Sequence, residues 1–252
     1  MTPGAHALVT GGGSGVGRAI ALALANAGAN VTICGRRQHA IDAVAAESPN
    51  IHAQTADVTD EASMTSLYDT AEALRGPFSI VVANAGIAES APAHKTTLDQ
   101  WKHTLDVNLT GSFLTVRPAL AGMAARKSGR IVFVASVAGL KGYAYVAPYV
   151  ASKHGVIGLM RALAVETARS GITVNAVCPS FVETDMLEDS VQRIVAKTGR
   201  SVAEARASLS ANNPQGRFIQ PDEVAAAVLY LCSDAAASIT GQSISISGGE
   251  TW

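Results

Sequence analysis

The chain has 252 residues, a formal net charge of −1, 48% hydrophobic and 15% charged residues. That balance describes a packed α/β-sized protein, excludes a disordered chain and, with no basic block, argues against nucleic-acid and membrane-surface partners. Cys34, Cys178 and Cys232 lie far apart without C-x-x-C or metal spacing, the N-terminus Met1 to His6 lacks the regions of a signal peptide, and no apolar run spans a bilayer, so buried thiols in a cytoplasmic protein are expected.

His6 to Thr10 is a short apolar run ending in glycines and reads as a buried strand. Gly11-Gly12-Gly13-Ser14-Gly15-Val16-Gly17 follows, then a helical pattern from Arg18 to Ala25. Ala27 to Asn30 stops that helix, and Val31 to Cys34 is a second strand. A β-α-β unit with glycines at its first turn is suited to a dinucleotide. Glycines let the main chain approach a pyrophosphate, and the free N–H groups of the helix start face the anion. A flexible loop would explain the glycines alone, but not their place between a strand and a helix. After the second strand, Arg36 and Arg37 stand where an acidic residue would bond the ribose 2′-OH of NAD(H). Arginine suits a 2′-phosphate, so NADP(H) is favoured and NAD(H) is the alternative. Two solvated arginines are the bland reading, and Ser14 adds no second basic group.

The alternation continues with a helix over 38–47, a strand at Ile51 to Thr55, a helix over 60–75 and an apolar strand at Ile80 to Ala83. Asp57-Val58 and Asn84-Ala85-Gly86 follow the third and fourth strands, where open α/β sheets bind ligands. A cap and an ordinary turn are the plainer readings. Residues 97–127 carry one helical pattern with Asn108 inside it. Ile131 to Ala135 is the fifth strand, with Ser136 next. A long helix over 148–170 bears Tyr149 and Lys153, whose i,i+4 spacing puts them on one face. A positive charge beside a phenol favours tyrosinate, so the Tyr149 pKa is expected below about 10. Such a group can pass a proton to or from a carbonyl or alcohol oxygen. Ile172 to Val177 is the sixth strand. Residues 185–217 break the pattern as two short helices, about 188–198 and 201–211, in the manner of a lid. A helix from Pro221 to Cys232 and an edge strand from Ser243 close a single domain, 1–252. The fold class is α/β, a doubly wound parallel sheet of about seven strands with a helical lid after strand six.

These motifs, in this order from Thr10 to Gly249, resemble the short-chain dehydrogenase/reductase family, and in particular its bacterial 3-oxoacyl-thioester reductases and 3-hydroxyacyl-CoA dehydrogenases. Ser136 stands thirteen positions before Tyr149, as the family's active-site pair does. The resemblance implies that Tyr149 is the proton donor or acceptor, that Lys153 tunes it and bonds the nicotinamide ribose, and that Ser136 donates to the substrate oxygen. It implies that Asn108 holds a relay water. It also implies a cofactor site of Gly11, Gly13, Ser14, Gly15, Val16, Gly17, Arg36, Arg37, Asp57, Val58, Asn84, Ala85, Gly86, Tyr149, Lys153, Pro179, Val182 and Thr184. Ser180 departs from the glycine common after that proline, and homotetramers are common among relatives.

The pocket expected from the resemblance draws on Val137, Ala138, Leu140, Lys141, Tyr143, Tyr145, His94, Lys95, Phe181 and Met186. Its apolar walls suit a ketone or acyl chain. Arg193, Lys197, Arg200 and Arg206 on the lid either form a solvated face or meet the phosphates of a coenzyme A thioester. An NAD-dependent secondary-alcohol dehydrogenase is the alternative within catalysis. A non-catalytic dinucleotide-binding redox sensor is the alternative outside it, although a sensor has no need of Asn108, Ser136, Tyr149 and Lys153 together. No metal is expected, because the six histidines show no ligand spacing.

Overall fold

Seven parallel strands run in the order β3-β2-β1-β4-β5-β6-β7: β1 His6–Thr10, β2 Asn30–Gly35, β3 Ile51–Thr55, β4 Ile80–Ala83, β5 Gly129–Val134, β6 Ile172–Pro179 and β7 Ser243–Ile246. The structure is a computed structural model and describes residues 4–251. The first three residues of the expected domain and N-terminus, and the last, lie outside the described residues.

Why the central strands are apolar throughout follows from the pleat. Successive side chains point to opposite faces, and both faces of this sheet are covered. Leu8, Val81, Ile131, Phe133 and Val174 point into one core, shared with α3 Glu61–Arg75, α5 Gly111–Arg126 and α6 Ala147–Thr167. Ala7, Val9, Ile80, Val82 and Val132 point into the other, shared with α1 Gly15–Asn26, α2 Gln38–Ala45 and α9 Pro221–Leu231. Each fully buried Leu, Ile or Phe here is worth roughly 1.5–3 kcal/mol over its exposed state. β7 is shorter than its apolar alternation suggests and lies at the sheet edge beside β6.

The helical stretch expected over 97–127 is not one α-helix. α4 Leu98–Leu105 starts at a reciprocal cap between Thr97 and Gln100. A π-helical turn, Asp106–Thr110, then joins α4 to α5. A π turn widens the helix and re-aims one residue, and such turns gather at functional sites; here it carries Asn108. The insertion after β6 folds as α7 Asp185–Thr198 and α8 Val202–Ser210, α7 starting three residues earlier than its pattern suggests. The pair closes on its own small core of Leu187, Val191, Ala205 and Phe218.

The strand order reverses between β1 and β4, and the crevice outside their C-terminal ends is where such sheets take ligands. Thr10 Oγ1 accepts from the N–H groups of Asn84 and Ala85, both at 3.1 Å, and Asn84 Nδ2 donates to Thr10 O at 2.8 Å. Those bonds tie the β1 and β4 loops into one floor.

Candidate active site

The Gly-rich turn is built for close approach. A Cβ on Gly17 would lie 2.2 Å from Gly11 O and 2.5 Å from Asn84 Nδ2, so only glycine lets the helix start sit against the turn. α1 begins at Ser14 without a side-chain cap, which leaves first-turn N–H groups for an anion. Gly11, Gly13, Ser14, Gly15 and Val16 are part-buried around that start, and a Cβ on Gly15 would come within 3.0 Å of the Thr184 methyl. Glycine-only close approach and free helix-start N–H groups are what a dinucleotide's pyrophosphate asks for, so a dinucleotide fits the chemistry of this turn.

Arg36 and Arg37 are exposed at the end of β2. Arg36 lies near enough to Asp57 to help hold its carboxyl below the usual range, although hydrogen bonds from Thr59 do most of this. Asp57 Oδ1 accepts from Thr59 N at 2.9 Å and Thr59 Oγ1 at 2.8 Å. Val58 is buried against Gly111, so its side chain is taken up by the core. Thr184 precedes α7 without capping it, its hydroxyl donating instead to Val182 O at 3.2 Å, and Val182 forms a parallel bridge with Ile219.

Beyond this cradle, Ser136, Tyr149, Lys153 and Asn108 come from three different elements. Ser136 follows β5, is buried, accepts from Ala138 N at 3.1 Å and donates to Pro179 O at 3.4 Å. It is a turn cap and a neighbour of Tyr149 at once: a serine hydroxyl near the phenol favours the tyrosinate and draws the Tyr149 pKa down. Burial of the phenol outweighs that, so the Tyr149 pKa is raised. This corrects the lowering expected from the spacing. The reason is geometric: Lys153 Nζ is turned to Val134 O, to which it donates at 2.9 Å, and lies 5.6 Å from the centroid of the Tyr149 ring. Burial lowers the Lys153 pKa to about 8.

The Asn108 amide joins elements. Oδ1 accepts from Ile87 N at 2.8 Å, and Nδ2 donates to Ile87 O and Ser152 Oγ, both at 3.0 Å. A Cβ on Gly86 would meet Asn108 Oδ1 at 3.2 Å and Lys153 Nζ at 3.6 Å, so the two side chains converge on that glycine. Ser152 had no signal in the sequence beyond being next to Lys153.

One expectation for the cleft needs correction. Val137 and Ala138 are core residues, each 3% exposed, because the 3₁₀ turn that Ser136 caps folds them inward. Arg206 is paired with Glu183 and Glu188, so its charge is already matched on the lid. Arg193 donates to Ala88 O at 3.0 Å and Lys197 to Ser90 O at 3.2 Å, joining α7 to the loop after β4. Tyr145 is exposed with a left-handed φ of 69°. Glu250, which the sequence reading passed over, is buried against Lys141, Tyr143 and Ser180. No cluster of three or more His, Cys, Asp or Glu forms among the described residues, and no helix among them is long and apolar enough to cross a membrane.

A doubly wound parallel sheet with a glycine-rich turn at its switch point, and a phenol near a buried lysine, is an arrangement that suits a nicotinamide-dependent oxidoreductase. The family model for short chain dehydrogenases matches residues 5–194, and the chain belongs to that family. It therefore acts with NAD(P) on C=O or CH–OH groups. A putative ketoacyl reductase of the granaticin polyketide synthase of Streptomyces violaceoruber is 38% identical over 98% of this chain and 95% of its own length. An acetoacetyl-CoA reductase of Shinella zoogloeoides is 39% identical over 97% of each chain. The crystal structure of an actinorhodin polyketide ketoreductase variant with NADPH superposes with a TM-score of 0.95 at 36% identity, covering 99% of both chains.

Proposed function

We propose that the protein reduces a 3-oxoacyl group, carried as a thioester, to the 3-hydroxyacyl product with NADPH. The observation that carries this reading is the meeting of Ser136, Tyr149 and Lys153 beside the Gly11–Gly17 cradle. When bound, the nicotinamide supplies the hydride.

The chain's own groups do the rest. Ser136 Oγ donates to the substrate oxygen as negative charge builds on it, where a preorganised dipole helps most. Tyr149 gives that oxygen its proton. A raised pKa keeps the phenol protonated at neutral pH, as a donor requires. Lys153, with its pKa near 8, is mostly cationic at pH 7, and a turn of its Nζ from Val134 O toward the phenol would steady the tyrosinate left behind. Asn108 fixes Ser152 and the Ile87 loop around this path, and a relay of water from Asn108 to Lys153 returns the proton. The cofactor is held by Gly11, Gly13, Ser14, Gly15, Val16 and Gly17 at the phosphates, Arg36 and Arg37 at the 2′-phosphate, and Asp57 and Val58 at the adenine. Asn84, Ala85, Gly86, Pro179, Val182 and Thr184 border the remainder. NADP(H) is supported by the two exposed arginines after β2 and by the NADPH in the similar ketoreductase. A 3-oxoacyl thioester is supported by what the two relatives are named for. A homotetramer is part of this proposal, supported by the exposed Leu98, Trp101, Phe113 and Val165 on α4, α5 and α6.

A two-cofactor screen against 3-oxoacyl thioesters, simple ketones and cyclic alcohols, read by nicotinamide absorbance, tests this. NADPH-dependent loss of acetoacetyl-CoA is expected. Tighter binding of NAD than NADP, with oxidation of a simple secondary alcohol, would replace it with the NAD-linked alternative.

A further inference from the structure

The end of the chain carries a buried acid. The Glu250 side chain is 1% exposed, and its carboxylate meets three donors: Lys141 Nζ at 3.0 Å and the Tyr143 hydroxyl on Oε1, and the Ser180 hydroxyl on Oε2. A carboxylate this deep persists only when paired and hydrogen-bonded. Its donors come from two loops that flank Ser136. Lys141 and Tyr143 lie on the segment after the turn that Ser136 caps. Ser180 follows Pro179, whose carbonyl accepts from Ser136.

The route of the tail is equally defined. Gly248 has a φ of +62°, and a Cβ there would fall 2.0 Å from Asn213 Oδ1, so only glycine can bring the chain past the end of the lid to Glu250. Tyr143 in turn neighbours Tyr149. Burial and the Glu250 carboxylate push the Tyr143 pKa far above the ordinary tyrosine value, and the Tyr143 hydroxyl proton is committed to Glu250 Oε1.

We infer that Glu250 is a positioning residue for the reduction, a clamp that ties the 140–145 segment to the loop after β6 and holds Tyr143 as a fixed wall of the substrate cleft. This rests on the reading of Ser136 and Tyr149 as the reacting site. Without the carboxylate, Lys141, Tyr143 and Ser180 lose a shared anchor, the wall moves, and substrate is held less well while the proton donor is unaltered.

The test uses Glu250→Ala, Glu250→Gln and Tyr143→Phe in the full chain, with acetoacetyl-CoA and NADPH as probes and amide hydrogen exchange as the second readout. Glu250→Ala should raise KM about tenfold or more with kcat within about threefold, the signature of lost binding common to ground and transition states. Glu250→Gln still accepts from Lys141 and Tyr143 and can donate to Ser180, and should return KM to within about threefold of native. The Glu250→Ala, Tyr143→Phe double variant should be no worse than Glu250→Ala alone, because the two act as one unit. Residues 139–146 should exchange faster in Glu250→Ala and not in Glu250→Gln, with 11–17 unchanged. A KM within about twofold of native in Glu250→Ala, or full additivity of the two substitutions, overturns the inference. If Glu250→Ala does not fold, Tyr143→Phe carries the test, and an unchanged KM overturns it. If the native protein turns over no ketone with either cofactor, the proposed function fails by itself. Exchange at 139–146 then decides the clamp, and unaltered exchange refutes it.

Discussion

Replacing Lys153 by methionine should alter stability in a way that depends on pH. The side chain is 5% exposed, and burial moves its pKa from 10.5 to about 8. Between those values the folded protein has released this proton while the unfolded chain still holds it. The unfolded state binds more protons across that window, so the folded state gains stability as pH rises through it. Below pH 8 both states are protonated and the full cost of burying the ammonium is present. At roughly 1.4 kcal/mol per pH unit the shift amounts to about 3 kcal/mol. Methionine has nearly the same length and no charge, and lacks this dependence. The thiols of Cys34, Cys178 and Cys232, raised to about 12, 11 and 12, act in the opposite direction above pH 9. Cys34 and Cys232 are the same in both proteins and cancel in the difference, whereas Cys178, which the Lys153 charge holds lower, rises further in the variant and adds to the gap only above pH 9. Urea denaturation of native and Lys153→Met protein at pH 7, 8.5 and 10 measures it. The native protein should gain about 2–3 kcal/mol on the variant between pH 7 and 10. A difference that stays constant over that range would refute the buried-ammonium argument.

Tyr149→Phe should lower kcat by about 10²–10⁴-fold, the range of a general acid, while NADPH affinity by fluorescence titration changes little; near-native turnover would move the proton donor elsewhere. Arg36→Ala should weaken NADPH binding about tenfold or more, the worth of a charge-assisted hydrogen bond, and leave NADH unchanged. Equal losses for both cofactors would detach Arg36 from the 2′-phosphate. Gly17→Ala forces a Cβ to within 2.2 Å of Gly11 O, so calorimetry should show a lower Tm and titration no saturable NADPH binding. Retained binding would mean that the turn is not the cradle.

What could be read from the sequence is what short-range chemistry encodes. Ile80 to Ala83 is apolar throughout because β4 is covered on both faces, and a run of residues displays that directly. The Gly11–Gly17 turn and the Tyr149–Lys153 pair were legible for the same reason: one turn of backbone contains each. The π turn at Asp106–Thr110 was not, since its residues fit a helical period and the partners Asn108 finds there, Ile87 and Ser152, lie far away in sequence. The Tyr149 pKa was expected in the wrong direction because spacing gives the neighbour and not the burial. Glu250 was invisible for a stronger reason. Its partners lie 70 and 107 positions away, and one acid near a chain end carries no local pattern. The roles of the cofactor-site residues rest on family resemblance, for which the cradle supplies shape and charge.

The position of β4 has a consequence for how the molecule is made. In the finished sheet β4 sits between β1 and β5, but β1, β2 and β3 precede it in the chain and β5 starts only at Gly129. During synthesis at about 5–20 residues per second, β4 can pair with β1 and then offers its other edge to solvent for on the order of seconds. That edge is Ile80-Val81-Val82-Ala83, with no charge, proline or bulge to blunt it. A strand fully buried in the native protein is an adhesive border of the nascent chain, and α4 and α5, which emerge before β5, are elements available to shield it.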